Sequence, residues 1–242
     1  MMLPPGMVAL TTAQMIEVDR AMVDDLHIEL IQMMENAGRH LADLARSRFL
    51  DGDPRGREVV VLAGTGGNGG GALVAARRLH CWGANVRVVV TASDQKFTPV
   101  PAHQLDIVNR MGIPVARHHA LAGMTSDLII DGVIGYSING APRGEAAELI
   151  RWSRDQMAPV LSLDVPSGFE PDSGVSHDPA VRATATLTLA LPKVGLLAPE
   201  AAGQVGELYL ADIGVPASLY AGPGLNLAIE PIFARSEIIR IA

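Results

Sequence analysis

This sequence has few cysteines and no long apolar run, and both absences exclude common protein classes. With a single cysteine, Cys81, the 242-residue chain cannot form an intramolecular disulfide, which suits a reducing compartment. No apolar run reaches the roughly 18 residues that a membrane-spanning helix needs. The first residues, MMLPPGMVALTT, lack the basic and apolar regions of a signal peptide. We therefore expect a cytoplasmic protein that does not enter a membrane.

Positive charge and aromatic side chains are also scarce. The formal net charge is −7, so the chain lacks the broad basic surface that binds nucleic acid, and no nucleic-acid partner is expected. Aromatic residues make up 4% of the chain and hydrophobic residues 48%. The core must therefore be built from Val, Leu, Ile, Ala and Met, and the length suits one large α/β domain.

Short apolar runs alternate with helical patterns along the chain. The predicted strands are 58–63, 85–91, 113–116, 127–131, 159–164, 184–190 and 207–211. Helices are predicted after Thr11 or Thr12, at 29–49, after the first strand, and at about 101–112 and 145–156. Strands that are apolar on both faces belong to a mainly parallel sheet covered by helices on both sides. The sequence therefore predicts an α/β fold, a Rossmann-like three-layer sandwich.

We expect a single domain over residues 1–242, in three parts. The N-terminal helices cover 11–50, the Rossmann-like core covers 57–216, and a C-terminal tail covers 217–242. Periodicity is weak after residue 214, so we expect the tail to pack as coil over the body.

The most informative stretch is EVVVLAGTGGNGGGALVAARRL at 58–79, where a strand pattern runs into a loop with six glycines at 64–71. A loop with few side chains lets backbone N–H groups approach a ligand, and the N-terminus of the following helix favours negative charge. Such a loop is typical of phosphate or nucleotide binding. It is not a P-loop, because no Gly-Lys-Ser/Thr follows, and the acid expected about 20 residues after a G-x-G-x-x-G fingerprint is missing.

Two acids, Asp131 and Asp164, each end an apolar strand. A lone acid there is often a turn or helix cap, but two from neighbouring strands can share a cation, hold ribose hydroxyls, or act as acid and base. Ser167 follows Asp164 through Pro166. Together with Asn68, Asp131 and Ser167 offer an oxygen-rich site suited to a hard cation.

Two lysines follow predicted strands. Lys96 lies in a polar loop and Lys193 follows Pro192. Either lysine can be simply solvated, and Lys193 can also contact a phosphate.

Six ordered blocks resemble the NAD(P)H-hydrate epimerases, whose fold is also called the YjeF amino-terminal domain. The resemblance runs from about residue 14 to about 216. The blocks are MMENAG at 33–38, VVVLAGTGGNGGGALVAARRL at 59–79, DLIIDGVIGYSINGAPRG at 127–144, SLDVPSGFEPDSG at 162–174, ATLTLALPKVGLL at 185–197 and GELYLADIGVP at 206–216.

The resemblance implies an enzyme that binds hydrated NADH or NADPH and inverts the hydroxylated carbon of the nicotinamide ring. It implies a potassium ion held by Asn68, Asp131 and Ser167. Asp164 would contact the dinucleotide near the reacting ring as the acid/base group, and Lys96 would lie near the site as a second catalytic residue. The other implied dinucleotide contacts are Gly67, Asn68, Gly69, Gly70, Gly71, Gly135, Tyr136, Ser137, Ile138, Asn139, Gly140 and Ala141.

The resemblance also implies a homodimer that pairs through the N-terminal helices. The helical pattern at 14–49 carries Met15, Met22, Met33 and Met34, more apolar surface than one sheet face needs. Methionine adapts well to contact surfaces, and two-fold dimers are the commonest oligomers.

One departure from the family pattern leaves a second interpretation open. The family's loop usually carries an acid where this chain has Gly71, and an Asn where it has Gly67. Losing that carboxylate removes a hydrogen-bond acceptor. The chain is therefore interpreted as a divergent epimerase, and the alternative is a catalytically silent domain of the same fold that binds a nucleotide or a protein partner.

Overall fold

The structure, a computed structural model, describes residues 7–241, so the two ends of the predicted domain, residues 1–6 and 242, lie outside it. One eight-stranded sheet runs through the molecule in the order β3-β2-β1-β4-β5-β6-β7-β8. The strands are β1 Glu58–Ala63, β2 Asn85–Val90, β3 Val115–Ala116, β4 Leu128–Gly132, β5 Val160–Leu163, β6 Ala185–Leu189, β7 Glu207–Ala211 and β8 Ile238–Arg240. Neighbouring strands pair in parallel, except that β8 is antiparallel to β7.

Helices cover both faces of this sheet. They are α1 Thr12–Arg20, α2 Leu30–Leu44, α3 Gly67–Cys81, α4 Pro99–Arg110, α5 Gly144–Arg154, α6 Ala202–Val205 and α7 Ala217–Tyr220. Single π-helical turns extend α1 to Asp25 and α2 to Phe49. None of the helices within residues 7–241 has the length and apolar content needed to cross a bilayer.

The alternation of side chains along β1 separates the two main cores. Val59 and Val61 pack with α2, α3 and α4 on one face, while Val60 and Leu62 pack with α5 on the other. Strands that are buried on both faces have continuous apolar sequences, as the strands of this chain do. The predicted three-layer α/β sandwich is confirmed, and each predicted strand is present within two residues of its predicted ends.

The strand order reverses between β1 and β4, since β2 and β3 lie on one side of β1 and the later strands on the other. In open α/β sheets, ligands bind in the crevice at the carboxyl ends of the strands at such a switch point. The ends of β1, β4 and β5 are adjacent there, as the sequence predicts.

Two local expectations are wrong. The glycine-rich segment is a loop only to Gly66, because α3 begins at Gly67 and includes the later glycines. The tail after residue 214 is not all coil, because it contains α7 and the edge strand β8. Backbone hydrogen bonds to β7 order the last strand, and the weak periodicity of the tail does not reveal them.

Candidate active site

A cavity of about 550 Å³ lies at the carboxyl ends of β1, β4 and β5. Segments that follow these strands form its floor, and α1 and α2 form one wall. The residues that line it are Met15, Asp19, Leu30, Met33, Met34, Ala37, Thr65, Gly66, Gly67, Asn68, Gly69, Gly71, Thr91, Val133, Ile134, Gly135, Tyr136, Ser137, Ala146, Leu163, Asp164, Leu189, Lys193 and Ile213.

The glycines at the start of α3 serve two different purposes. Gly66, the N-cap, and Gly67 have open space where a side chain would lie, so backbone N–H groups there are accessible from the cavity. A Cβ at Gly69 would overlap the carbonyl oxygen of Gly64. Gly69 therefore lets the turn after β1 close tightly, and the first turn of α3 presents the positive end of a 15-residue helix to the cavity.

Asp131, in β4, is fully buried, and its hydrogen-bond donors within residues 7–241 are all uncharged. In the sheet register it lies beside Ser162 of β5, whose hydroxyl donates to Oδ2 at 2.8 Å. Ser167 donates its backbone N–H to Oδ2 at 2.9 Å and its hydroxyl to Oδ1 at 2.5 Å, and the Val133 N–H donates to Oδ1 at 3.2 Å. Burial raises the pKa of the Asp131 carboxyl, and the hydrogen bonds from Ser167, Ser162 and Val133 oppose that rise.

Asn68, in the first turn of α3, lies against the segment that follows Asp131, since a Cβ at Gly132 would be 3.0 Å from the Asn68 carbonyl oxygen. Gly135 lies so close that a Cβ there would be 3.2 Å from the Asn68 Cβ. Within residues 7–241 the buried Asn68 Nδ2 has no hydrogen-bond partner. Rotating the amide by half a turn presents its oxygen at the same place. Among the described residues Asp131 has no basic partner, and no hydrogen bond at Nδ2 fixes the orientation of the Asn68 amide. Carboxylate and amide oxygens of this kind fit an oxygen-ligated cation.

Asp164 has a different environment, immediately after β5. Its backbone φ is +65°, a left-handed conformation that is uncommon for a residue other than glycine and often marks functional sites. Its carboxylate forms a buried ion pair with the Lys193 ammonium. The Thr188 hydroxyl and the Leu189 N–H also donate to it, at 3.4 Å and 3.3 Å. In the described chain these contacts all reach Oδ1, which leaves Oδ2 for the contents of the cavity.

Lys193 is held on several sides. Besides Asp164, its ammonium donates to the Leu189 carbonyl at 3.0 Å and to the Thr188 hydroxyl at 3.3 Å. It also lies 5.9 Å from the centre of the Tyr136 ring. With its side chain fully buried, Lys193 is part of the cavity wall and not a mobile surface group.

A second acidic residue, Asp19 of α1, enters the cavity from the helical wall. The Tyr136 hydroxyl donates to its Oδ2 at 2.5 Å. Burial and the charge of Asp164 raise the pKa of the Asp19 carboxyl, against the lowering effects of the Tyr136 hydrogen bond and the Lys193 charge. The pKa of Tyr136 is also raised, first by its own burial and then by Asp19, so the hydroxyl stays protonated.

The structure brings most of the predicted site residues together, but not all of them. Of the predicted residues, Gly67, Asn68, Gly69, Gly71, Gly135, Tyr136, Ser137 and Asp164 line the cavity. Gly70 does not line the cavity, and a Cβ there would meet the Met34 sulphur at 2.5 Å. The predicted segment from Ile138 to Ala141 lies beyond the lining, as does Lys96, which is exposed on the short turn Asp94–Lys96. The predicted cation ligands Asp131 and Ser167 are fully buried and do not line the cavity either.

Two features of the site are not among the sequence-based predictions: the carboxylate partner of Lys193 and the presence of Asp19 in the cavity. Asp19 lies four residues after the buried Met15, so an acid on the apolar side of α1 was the available signal. Lys193 stands in the apolar segment LALPKVGLL, where a lysine needs a partner to be buried.

The methionines of the N-terminal helices do not form an exposed apolar surface. Met15, Met22, Met33 and Met34 are all at most 4% exposed. They are buried because α1 and α2 fold over the cavity and the β6–β7 side of the sheet. The apolar excess that favours a dimer in the sequence is therefore buried within the chain.

The sequence and the fold of this chain are similar to those of known proteins. Residues 30–195 match the family described as YjeF-related protein N-terminus. A protein of Dehalogenimonas lykanthroporepellens named NAD(P)H-hydrate epimerase is 42% identical over 225 residues, covering 93% of this chain and 89% of that protein. A protein of Truepera radiovictrix with the same name is 38% identical, covering 88% of this chain and 91% of its own length.

A bifunctional NAD(P)H-hydrate repair enzyme of Moorella thermoacetica is 33% identical over 97% of this chain, which spans only 46% of that enzyme. The crystal structure of the yeast protein ynu0 covers 97% of this chain and 100% of its own, with a TM-score of 0.78 at 22% identity. At that identity the yeast structure supports the fold alone.

Proposed function

The chain belongs to the YjeF-related protein N-terminal family, and we propose from this membership and the cavity geometry that it is an NAD(P)H-hydrate epimerase. Its substrate is then a hydrated NADH or NADPH, and it interconverts the two configurations of the hydroxylated ring carbon. The observation that carries this proposal is the position of Asp164, paired with Lys193, in the same cavity as the open N-terminus of α3.

The two ends of the cavity suit the two ends of the reacting nucleotide. Phosphates bind at helix N-termini, so the first turn of α3, at Gly66 and Gly67, is the proposed pyrophosphate site. Gly135 and Ser137, after β4, lie on the same side of the cavity and are proposed to contact the dinucleotide too. The hydrated ring would then lie toward Asp164, with Tyr136 beside it.

Asp164 is the proposed acid/base group, with Oδ1 held by Lys193 and Oδ2 directed to the substrate. A positioned carboxylate typically contributes about 100- to 10,000-fold through proton transfer. Asp164→Asn keeps the side-chain volume and removes that chemistry. We expect kcat to fall by about that factor while KM changes little. The measurement is exchange between the two epimers of hydrated NADH, corrected for the spontaneous rate.

The matched control is Asp106→Asn, the same chemical change at an exposed position on α4 that pairs only with Arg110 in the described chain. This variant should keep the full wild-type rate. Equal rates for Asp164→Asn and wild type would remove Asp164 from the mechanism.

We also propose a potassium site at Asn68, Asp131 and Ser167. Asp131 is the only charged group among the three, which favours a monovalent ion, whereas Mg²⁺ demands strict octahedral geometry and usually more carboxylates or phosphates. When bound, such an ion would supply positive charge beside the dinucleotide. What supports the site is the fully buried Asp131, whose donors in the described part of the chain are all uncharged, together with the Asn68 Nδ2, which has no hydrogen-bond partner there.

A homodimer through the N-terminal helices and a cytoplasmic location remain predictions. The exposed apolar residues on this part of the chain are Ile16, Leu26 and Leu30, each more than a third exposed. If they pair two copies, sedimentation at micromolar concentration gives about twice the 25.5 kDa chain mass. Ile16→Asp would then shift the distribution to monomer, whereas a monomeric wild type across that range contradicts the prediction.

A further inference from the structure

Resting on the proposed epimerase function, we propose that Asp19 and the Tyr136 hydroxyl form a second proton-transfer pair, beside Asp164 and Lys193, in the same cavity. Neither the family pattern nor the sequence motifs assign a role to Asp19, which precedes the region that matches the family, residues 30–195.

The geometry places four groups in one continuous arrangement. Lys193 joins Asp164 by an ion pair and lies under the Tyr136 ring, 5.9 Å from its centre. The Tyr136 hydroxyl in turn donates to Asp19 at 2.5 Å. All four residues line the cavity, and they come from four separate parts of the chain: α1, the loop after β4, the segment after β5 and the segment after β6. Two carboxylates thus border one substrate space, one held by an ammonium and one by a phenol.

Inversion at the hydroxylated carbon needs two proton transfers. Hydration of an enamine places the hydroxyl on the carbon bonded to the ring nitrogen. The C–O bond breaks with its electron pair on oxygen, the acid supplies a proton, and water leaves while the nitrogen lone pair stabilises the cation. Water then adds to the opposite face and gives up a proton to a base. One water and one proton are released and one of each is consumed, so the ring is unchanged except at that carbon.

The two pairs fit these two transfers. Protonated Asp19 donates to the Tyr136 oxygen as Tyr136 passes its own proton to the leaving hydroxyl. Asp164 accepts the proton of the incoming water. After one turnover the proton lies on Asp164, which is the state needed to convert the opposite epimer. Because the two groups exchange roles, the same arrangement serves both directions of a reversible epimerisation.

The two carboxylates have different partners, since Asp164 forms an ion pair with the Lys193 ammonium and Asp19 accepts a hydrogen bond from the uncharged Tyr136 hydroxyl. Burial raises the pKa of Asp19, and the charged groups that face it are Asp164 after β5 and Lys193 after β6. Tyr136 donates to Asp19 from the loop after β4, and Tyr220 of α7 also interacts with its charge. If protonated Asp19 is the active form, activity falls as pH rises through this raised pKa.

An anchoring role is the competing explanation, since the Asp19–Tyr136 bond also ties α1 to the loop after β4. Two variants separate the explanations. Asp19→Asn keeps an amide oxygen that can accept from Tyr136, so the anchor survives and the acid is lost. Tyr136→Phe keeps the ring and removes the hydroxyl. Asp106→Asn is again the control, and a melting curve for each variant checks that it is folded.

The experiment measures kcat and KM for epimer exchange of hydrated NADH across a range of pH. We expect both variants to lower kcat by about 100-fold or more, with KM within about threefold of wild type. The residual rate of Asp19→Asn should no longer decrease as the pH rises.

A folded Asp19→Asn variant with wild-type kcat and an unchanged pH profile would overturn this inference, and so would an effect of Tyr136→Phe on KM alone. In both cases wild type is active and the epimerase function stands. A wild type no faster than the spontaneous reaction would instead overturn the epimerase function together with this inference.

Discussion

At the scale of single residues, Asp131 and Asp164 have equivalent positions in the sheet but different surroundings. Both lie at the carboxyl ends of adjacent strands. Asp131 receives bonds from two hydroxyls and two backbone N–H groups, whereas Asp164 is paired with an ammonium. In the described chain Asp164 therefore has a positively charged partner, and Asp131 has uncharged donors only. This difference is why we place a cation at Asp131 and proton transfer at Asp164.

Gly71 is the residue that most clearly tests whether a family acid is missing. A Cβ at this position lies 2.7 Å from Leu163 Cδ2 and faces Ala37, so a carboxylate would displace a core leucine in apolar surroundings. Burying a charged or polar group without a partner costs about 1–3 kcal/mol or more. We expect Gly71→Asp to lower the melting temperature and to leave the epimerase rate no higher than that of wild type.

Gly71→Ala is the control, because it brings the same Cβ contact without the carboxylate. If Gly71→Ala loses less stability than Gly71→Asp, the difference between the two variants is due to the buried carboxylate. A large rise in rate on Gly71→Asp would instead favour the silent-domain interpretation, in which the acid is the missing catalytic group.

The sequence could predict which single acids matter but not which partners they have. Asp131, Asp164 and Asn68 follow strands whose order of pairing can be guessed, so their position in one crevice is predictable. The partner of Asp164 is Lys193, 29 positions later, and the partner of Tyr136 is Asp19, 117 positions earlier. Such pairs depend on how α1 and the segment after β6 pack, which residue patterns do not specify.

At the scale of secondary-structure elements, the central question is why five residues rich in glycine begin a helix. Each glycine disfavours a helix interior by about 1 kcal/mol relative to alanine. Close packing offsets this cost in α3. The absence of a side chain at Gly70 leaves room for Met34 of α2, and its absence at Gly69 leaves room for the turn after β1. Intrinsic propensity predicts a loop over this segment, and tertiary contacts reverse that prediction.

The contact between α2 and α3 gives a prediction for Gly38. A Cβ at Gly38 would overlap the side chain of Val74 and lie 2.5 Å from the carbonyl oxygen of Gly71, which is backbone and cannot turn aside. Overpacking costs about 1–3 kcal/mol, more than the roughly 1 kcal/mol that alanine adds in helix propensity. We expect Gly38→Ala to lower the melting temperature by a few degrees, at about 2–4 °C per kcal/mol.

Gly203→Ala is the matched control for this prediction. Gly203 is also helical, in α6, but nothing lies within 4 Å of its Cβ position. It should leave the melting temperature unchanged or slightly raised. If Gly38→Ala behaves in the same way, the close approach of α2 and α3 is not needed for stability.

At the scale of the whole molecule, α1 and α2 complete the active-site cavity of a Rossmann-like sheet. The reversal of strand order between β1 and β4 creates the crevice, and the two N-terminal helices close one side of it with Met15, Asp19 and Met34. The sheet order follows from general rules of α/β topology, but the use of these helices as a wall does not. For this reason their methionines, predicted as a subunit contact, lie inside the chain.

The proposed cation should be visible as a property of the whole folded chain. A ligand that binds only the folded state raises stability by mass action, by about 2.7 kcal/mol at a concentration 100 times its Kd. We expect potassium chloride to raise the melting temperature above that in sodium or choline chloride at equal ionic strength, and Mg²⁺ to give no such specific rise.

Two variants test which residues hold the ion. Asp131→Asn removes the charge at similar volume, and Asn68→Ala removes the side-chain amide, so each should abolish the potassium effect. Asp106→Asn should respond as wild type does. A specific stabilisation by Mg²⁺, or a potassium response that survives in Asp131→Asn, would show that Asp131 does not hold a monovalent ion, and its burial would then need another explanation.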